Sequence, residues 1–213
     1  MNKPLRAISL AVVSAALLLF ASCGGSDAGG GGEDGQPSAV VFVGASITDG
    51  WDFDACFPGR AFAKVIHYDA DKTQVWDEID GHSPRIVVVK ECAGYFYAEG
   101  GTPIGDHEGI MAGMTALIRG IGAVPVLATT IPVDVGDSGC TLEQLADIIA
   151  FNAWVRAYCA SEGIVCLDLA AAVSDSEGQL PTSCHDGDGL HPNEAGYNAL
   201  TAVVIPALEA AGL

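Results

Sequence analysis

Apolar residues in this chain fall into short runs, rich in β-branched side chains, separated by longer stretches of helical period. The runs at 39–44, 64–68, 85–90, 123–129 and 163–168 predict strands. Several are apolar at successive positions, as suits strands covered on both faces. Helical patterning predicts helices near 73–80, 107–120, 141–161 and 193–211. Thr141 and Gln144 have the spacing of a capping box at the start of the third of these. Leu145, Ile149, Asn152, Val155 and Cys159 are then expected to share one face. Strands alternating with helices imply a parallel sheet with helices on both sides. Five such strands make a three-layer α/β/α sandwich of flavodoxin-like type. There is no internal repeat, and about 175 residues are enough for one domain with a substantial core.

The first 38 residues do not belong to that pattern. Lys3 and Arg6 precede an apolar run from Ala7 to Phe20, which Ala21-Ser22-Cys23 follows. This is the three-part form of a secretory signal, and the run is short for a transmembrane helix. Cys23 behind small residues resembles a bacterial lipobox, whose cysteine is lipidated, and Gly24 after it points to the outer membrane. Ordinary secretion is the alternative, since Phe20 stands where such motifs usually carry Leu. The segment GGSDAGGGGEDGQP has no apolar side chain larger than Ala and reads as a flexible tether. The chain therefore divides into a signal segment at 1–22, a lipidated cysteine and tether at 23–38, and a domain at 39–213.

A formal charge of −18 excludes a nucleic-acid partner, because there is no basic patch to neutralise phosphates. It also disfavours anionic substrates and anionic lipid surfaces. With Cys23 set aside, six cysteines remain, an even number that in an exported protein suggests disulfides, although six allow fifteen pairings. Cys140 with Cys184 is the first pairing expected, because both lie in loops on one side of the sheet, and Cys56 with Cys92 is the second. Cys166, inside an apolar run, reads as a small buried hydrophobe. No two cysteines have the close spacing of a zinc site, so no metal is expected.

Two stretches carry candidate chemistry. Val41-Phe42-Val43 runs into Gly44-Ala45-Ser46-Ile47-Thr48, placing a serine at the carboxyl end of the first strand, where open α/β sheets hold their ligands. Near the other end, Asp188-Gly189-Leu190-His191-Pro192 sets an acid and a histidine three apart before the last helix, with Pro192 suited to its first turn. Together these blocks resemble those of the GDSL or SGNH hydrolases, a resemblance that extends from about Ala39 to the C-terminus and takes in Ala128-Thr129-Thr130-Ile131-Pro132. The first block departs from the family in having Ala45 where an Asp is usual. The resemblance implies the same sandwich fold and a triad with Ser46 as nucleophile, His191 as base and Asp188 as its orienting partner. The other histidines, His67, His82, His107 and His185, read as surface or structural.

The family also stabilises the oxyanion with the serine amide, a glycine amide after the second strand and an asparagine side chain after the third. Ser46 keeps the first. The stretch Tyr68-Asp69-Ala70-Asp71-Lys72-Thr73 has no glycine, so the amide of Asp69 or Lys72 stands there. Cys92-Ala93-Gly94-Tyr95 stands in place of Gly-x-Asn-Asp, with Gly94 within the altered block and Lys90 or Tyr95 as substitute donors. A Lys90–Glu91 surface pair is the plainer reading of those two residues. Trp51, Phe53 and Phe57 either line the substrate site or simply pack. The expected protein is a monomer needing no cofactor that hydrolyses an ester of a small molecule, glycan or lipid. An inactive surface binding protein on the same scaffold, or an acyltransferase with the same triad, are the alternatives.

Overall fold

The computed structural model describes residues 39–98 and 101–213, so the signal segment, Cys23 and the tether lie outside the described residues. The strands are β1 (Val40–Gly44), β2 (Phe62–Ile66), β3 (Ile86–Lys90), β4 (Val124–Ala128) and β5 (Val165–Leu167). They form one parallel sheet in the order β2-β1-β3-β4-β5. The helices are α1 (Ser46–Gly50), α2 (Phe53–Cys56), α3 (Trp76–Gly81), α4 (Gly94–Tyr97), α5 (Ile104–Gly120), α6 (Val135–Ser138), α7 (Leu142–Glu162), α8 (Leu169–Val173) and α9 (Glu194–Ala210). Among the described residues no helix is long and apolar enough to cross a membrane.

Alternation along the strands divides the core into two layers. Val41, Val43, Val87, Val89 and Leu127 face α3, α5 and α7. Val40, Phe42, Ile86, Val88, Val126 and Ala128 face α1, α2, α8 and α9. This is the expected sandwich. The departures are local. β2 starts two residues before the run at 64–68, because Phe62 pairs with Val40 and its ring packs against Phe42, Phe53 and Phe57. The short helices α1, α2, α4, α6 and α8 have too few turns to show a period in sequence. Pro192 precedes the last helix rather than opening it: Asn193 is the N-cap, its side chain accepting from Gly196 N.

The capping box forms at α7 as expected. The buried face of that helix carries Leu145, Ile148, Asn152, Val155 and Cys159, whereas Ile149 is largely exposed. At 100° per residue the 3-4-3-4 spacing through Ile148 stays in one stripe, and Ile149 falls about a quarter turn away. Asn152 is the polar member of the stripe. Its Oδ1 accepts from Thr130 N at 2.7 Å and its Nδ2 donates to Thr130 O at 2.8 Å, fixing the chain where it leaves β4.

All six cysteines among the described residues are free thiols, so neither expected disulfide forms. Cys140 packs in the α5–α7 layer and Cys184 in the α9 layer, on opposite faces of the sheet. Cys56 joins the aromatic layer near α2, while Cys92 sits beyond the tip of β3, beside Gly94. The cysteines that do meet are Cys159 and Cys166. A hydrogen bond between them pushes the Cys159 thiol up and holds Cys166 down, and Cys166 is only half-buried.

Candidate active site

Ser46 is placed by a turn that few sequences could make. The chain leaves β1 at Gly44, where a Cβ would lie 2.1 Å from Thr48 Oγ1, so only glycine fits. Ala45 is buried and stands at the N-cap of α1, with φ −124° and ψ −145°. Ser46 opens the helix, so its N–H has no carbonyl a turn earlier within α1 to donate to. The short helix is braced from two sides. Tyr197 in α9 donates to Ile47 O at 3.1 Å. Lys64 in β2 donates to Asp49 O at 3.0 Å and to Trp51 O, satisfying carbonyls at the helix end. Trp51, Phe53 and Phe57 are packing residues: all are buried and meet one another edge-on or tilted.

Asp188 and His191 arrive on the loop before α9. His185 and Pro192 pair across it as an antiparallel bridge, and Asp186 N donates to His191 O at 3.0 Å. Asp188 Oδ1 accepts from Leu190 N at 2.9 Å and His191 N at 2.8 Å. Its Oδ2 lies 2.5 Å from His191 Nδ1, and His191 Nε2 lies 2.9 Å from Ser46 Oγ. A carboxylate accepts but does not donate, so the Nδ1 proton is fixed and Nε2 is left to accept from the serine hydroxyl. Partial burial pushes the Asp188 carboxyl up, but hydrogen bonds from the His191 amide, the His191 ring and the Leu190 amide outweigh it, leaving a pKa of about 2.

This sets the sign of a pH effect. A carboxylate whose pKa falls on folding stabilises the fold above its unfolded value, and that contribution disappears as pH drops through the folded value. The stabilisation from Asp188 is therefore full above 3.8 and lost between 3.8 and about 2. Acid titration followed by circular dichroism should show Asp188→Asn with less stability lost across that window than wild type.

The altered block after β3 is not a surface pair. Lys90 and Glu91 are both buried, and Lys90 Nζ donates to Glu91 O at 3.1 Å. The Glu91 carboxylate lies 3.6 Å from Lys72 Nζ and 2.9 Å from His107 Nδ1, though neither oxygen has a well-aligned hydrogen-bond donor. Lys72 also donates to His67 O at 3.2 Å and to Asp69 O. Burial pushes both lysines down, and the neighbouring Glu91 carboxylate partly offsets this for each. Tyr95 donates to His67 O at 3.4 Å, with its ring 4.7 Å from Lys72 Nζ. Lys90 and Tyr95, the side-chain donors expected there, each donate to a protein carbonyl. Asp69 Oδ1 accepts from Asp71 N at 2.9 Å, within the turn after β2. His107, read from sequence as surface or structural, is buried on α5 and faces Glu91, a partner far from it in sequence.

Asp134, Asp137 and His185 offer ligand atoms within 4.8 Å of one another, the spacing of a metal site. The histidine does not fit that role. Its Nδ1 faces Gly187 N at 3.0 Å and Gly189 N at 3.1 Å, so it must carry the lone pair. The proton is then on Nε2, the nitrogen facing the two carboxylates, where it leaves no lone pair for a cation.

The sequence profile of the GDSL-like lipase/acylhydrolase family matches residues 42–199. No curated protein is similar enough to count as a match. Among solved structures, a GDSL-like lipase from Bacteroides thetaiotaomicron superposes with a TM-score of 0.70 at 22% identity, over 81% of this chain and 88% of that one. A catalytic mutant of an acetylxylan esterase from Geobacillus stearothermophilus gives 0.63 at 15% identity, over 82% and 95%. A member of the lipolytic G-D-S-L family from Veillonella parvula gives 0.63 at 14%, over 80% and 97%. At such identities these structures share a fold, and the profile spans both the Ser46 turn and the Asp188–His191 loop. This chain belongs to the GDSL-like lipase/acylhydrolase family.

Proposed function

We propose that this protein is a serine-dependent ester hydrolase. Ser46 Oγ attacks the acyl carbon while His191 Nε2 takes its proton and then returns it to the departing alkoxide, leaving an acyl-serine. Water, deprotonated by the same imidazole, attacks that ester, and the proton goes back to Ser46 as the carboxylic acid leaves. Asp188 keeps the imidazole in the tautomer that accepts from serine. The observation that carries this reading is the line from Ser46 Oγ to His191 Nε2 at 2.9 Å and from His191 Nδ1 to Asp188 Oδ2 at 2.5 Å.

For the substrate we favour an acetyl ester on a carbohydrate. The fold shared with an acetylxylan esterase supports it. So does Tyr68, an exposed ring tied by its hydroxyl to Asp49 Oδ2 at 2.9 Å, close to the nucleophile helix. The signal-like segment and Cys23 support an exported, lipid-anchored enzyme acting at a cell surface. A binding protein without activity is the second reading, favoured by the commitment of Lys90 and Tyr95 to other acceptors.

The test compares wild type with Ser46→Ala on a chromogenic acetate ester and on acetylated xylooligosaccharides, together with labelling by a fluorophosphonate. Hydrolysis and a covalent adduct on Ser46, both absent from the variant, are expected. A folded wild type that neither turns over nor labels would leave the binding reading.

A further inference from the structure

His185 is fully enclosed, with its side chain 1% exposed, and the proposed relay does not use it. Its surroundings nonetheless belong to that relay. The loop from His185 to Pro192 closes on itself through the bridge between those two residues. The His185 ring lies inside this loop. Its Nδ1 accepts from Gly187 N at 3.0 Å and Gly189 N at 3.1 Å, the amides on either side of Asp188. On the other side, Nε2 faces Asp134 Oδ2 at 3.4 Å and Asp137 Oδ2 at 3.8 Å. Asp134 is itself fixed: its Oδ1 accepts from Gly136 N at 2.7 Å, and its N–H donates to Gly189 O at 2.8 Å.

The two glycines make this arrangement possible. Gly187 and Gly189 have φ of +92° and +69°, and a Cβ on Gly189 would lie 2.5 Å from Ser138 N. A loop bent this way turns successive N–H groups inward, and something inside must accept from them. A neutral imidazole with its proton on Nε2 meets both needs, accepting at Nδ1 and donating toward the carboxylates.

We infer that His185 is a positioning residue for the catalytic acid: by accepting from the amides flanking Asp188 it sets where that carboxylate stands against the His191 ring. This rests on the reading of Ser46, His191 and Asp188 as an ester-cleaving relay. Asp188 is about half exposed and has little packing of its own to hold it, so the backbone on either side must do so.

Two substitutions separate the halves of the histidine. In His185→Asn the amide oxygen falls near the place of Nδ1, keeping an acceptor for the two glycine amides but losing the reach to Asp134. In His185→Gln the terminal amide falls near Nε2, keeping the Asp134 side and losing the acceptor. Both purified variants are compared with wild type for kcat and KM on a chromogenic acetate ester. The far-downfield proton resonance of His191 Nδ1–H, identified by its loss in Asp188→Ala, is recorded alongside. The expected result is that Asn keeps the resonance and a kcat within about 3-fold of wild type. Gln should lose the resonance and about 10- to 100-fold in kcat, with KM little changed, as displacement of a catalytic group costs rate more than binding. If Gln keeps both, or if Asn is as impaired as Gln, the inference is wrong. The resonance decides even if wild type hydrolyses no ester, so failure of the esterase reading and failure of this one are told apart.

Discussion

His191→Ala is expected to lower kcat/KM on an activated acetate ester by about 10⁴-fold or more, with KM changing far less. A serine hydroxyl has almost no nucleophilicity at neutral pH unless its proton is taken as it attacks. His191 Nε2 is the basic nitrogen within hydrogen-bond reach of that hydroxyl, at 2.9 Å. Asp188→Ala should cost roughly one to two orders of magnitude less, because that variant keeps the base and loses only its orientation and charge partner. The carboxylate is also 49% exposed, so water already screens part of its effect on the imidazolium. Initial rates against ester concentration, with circular dichroism to verify folding, measure both. Equal losses for the two variants would mean that Asp188 does more than orient the ring. An undiminished rate in His191→Ala would remove the proposed mechanism altogether.

Most of the frame that supports this chemistry was legible in the sequence. Runs such as Ile86–Lys90 announce a strand covered on both faces, and Gly44, Ser46, Asp188 and His191 stand where the blocks place them. What could not be read was mostly non-local. Ile149 and Ile148 are equally apolar, and only the position of the sheet decides which faces it. The cysteine pairings failed because loop order does not say which face of the sheet a side chain packs on. Lys90-Glu91 looked like a surface pair because two adjacent charges usually are one. Its real partners, Lys72 and His107, come from the turn after β2 and from α5, far apart in sequence. His185 reads from sequence only as surface or structural, although the spacing of Gly187 and Gly189 behind it is a visible sign of a tightly bent loop.

Glu91→Leu is expected to destabilise the fold by about 3–5 kcal/mol, the usual cost of removing one member of a buried ion pair. For a domain of this size that lowers Tm by about 10 °C. Glu91, Lys72 and His107 have fully buried side chains, so the ammonium left behind would keep the carbonyls of His67 and Asp69 and the face of the Tyr95 ring but lose the buried carboxylate beside it. The cost is thus that of a stranded cation rather than of a lost attraction. Lys72→Met added to Glu91→Leu should therefore recover much of the lost Tm, since an apolar pair of similar volume replaces the charged one. Recovery should stop short of wild type, because those two carbonyls lose their donor. The carbonyls lie in the turn after β2, and Glu91 itself heads the block after β3, so the ion pair joins the two loops in which the family keeps oxyanion donors. Under the proposed esterase reading, backbone amides of these loops bind that charge, and this buried pair sets their placement. The Glu91→Leu variant, assayed well below its own Tm, should accordingly lose about 10-fold or more in kcat, in the range of a misplaced oxyanion donor. Thermal melts and kinetics on the single and double variants measure both effects. A double variant no more stable than Glu91→Leu would show that the stranded ammonium is not the cause.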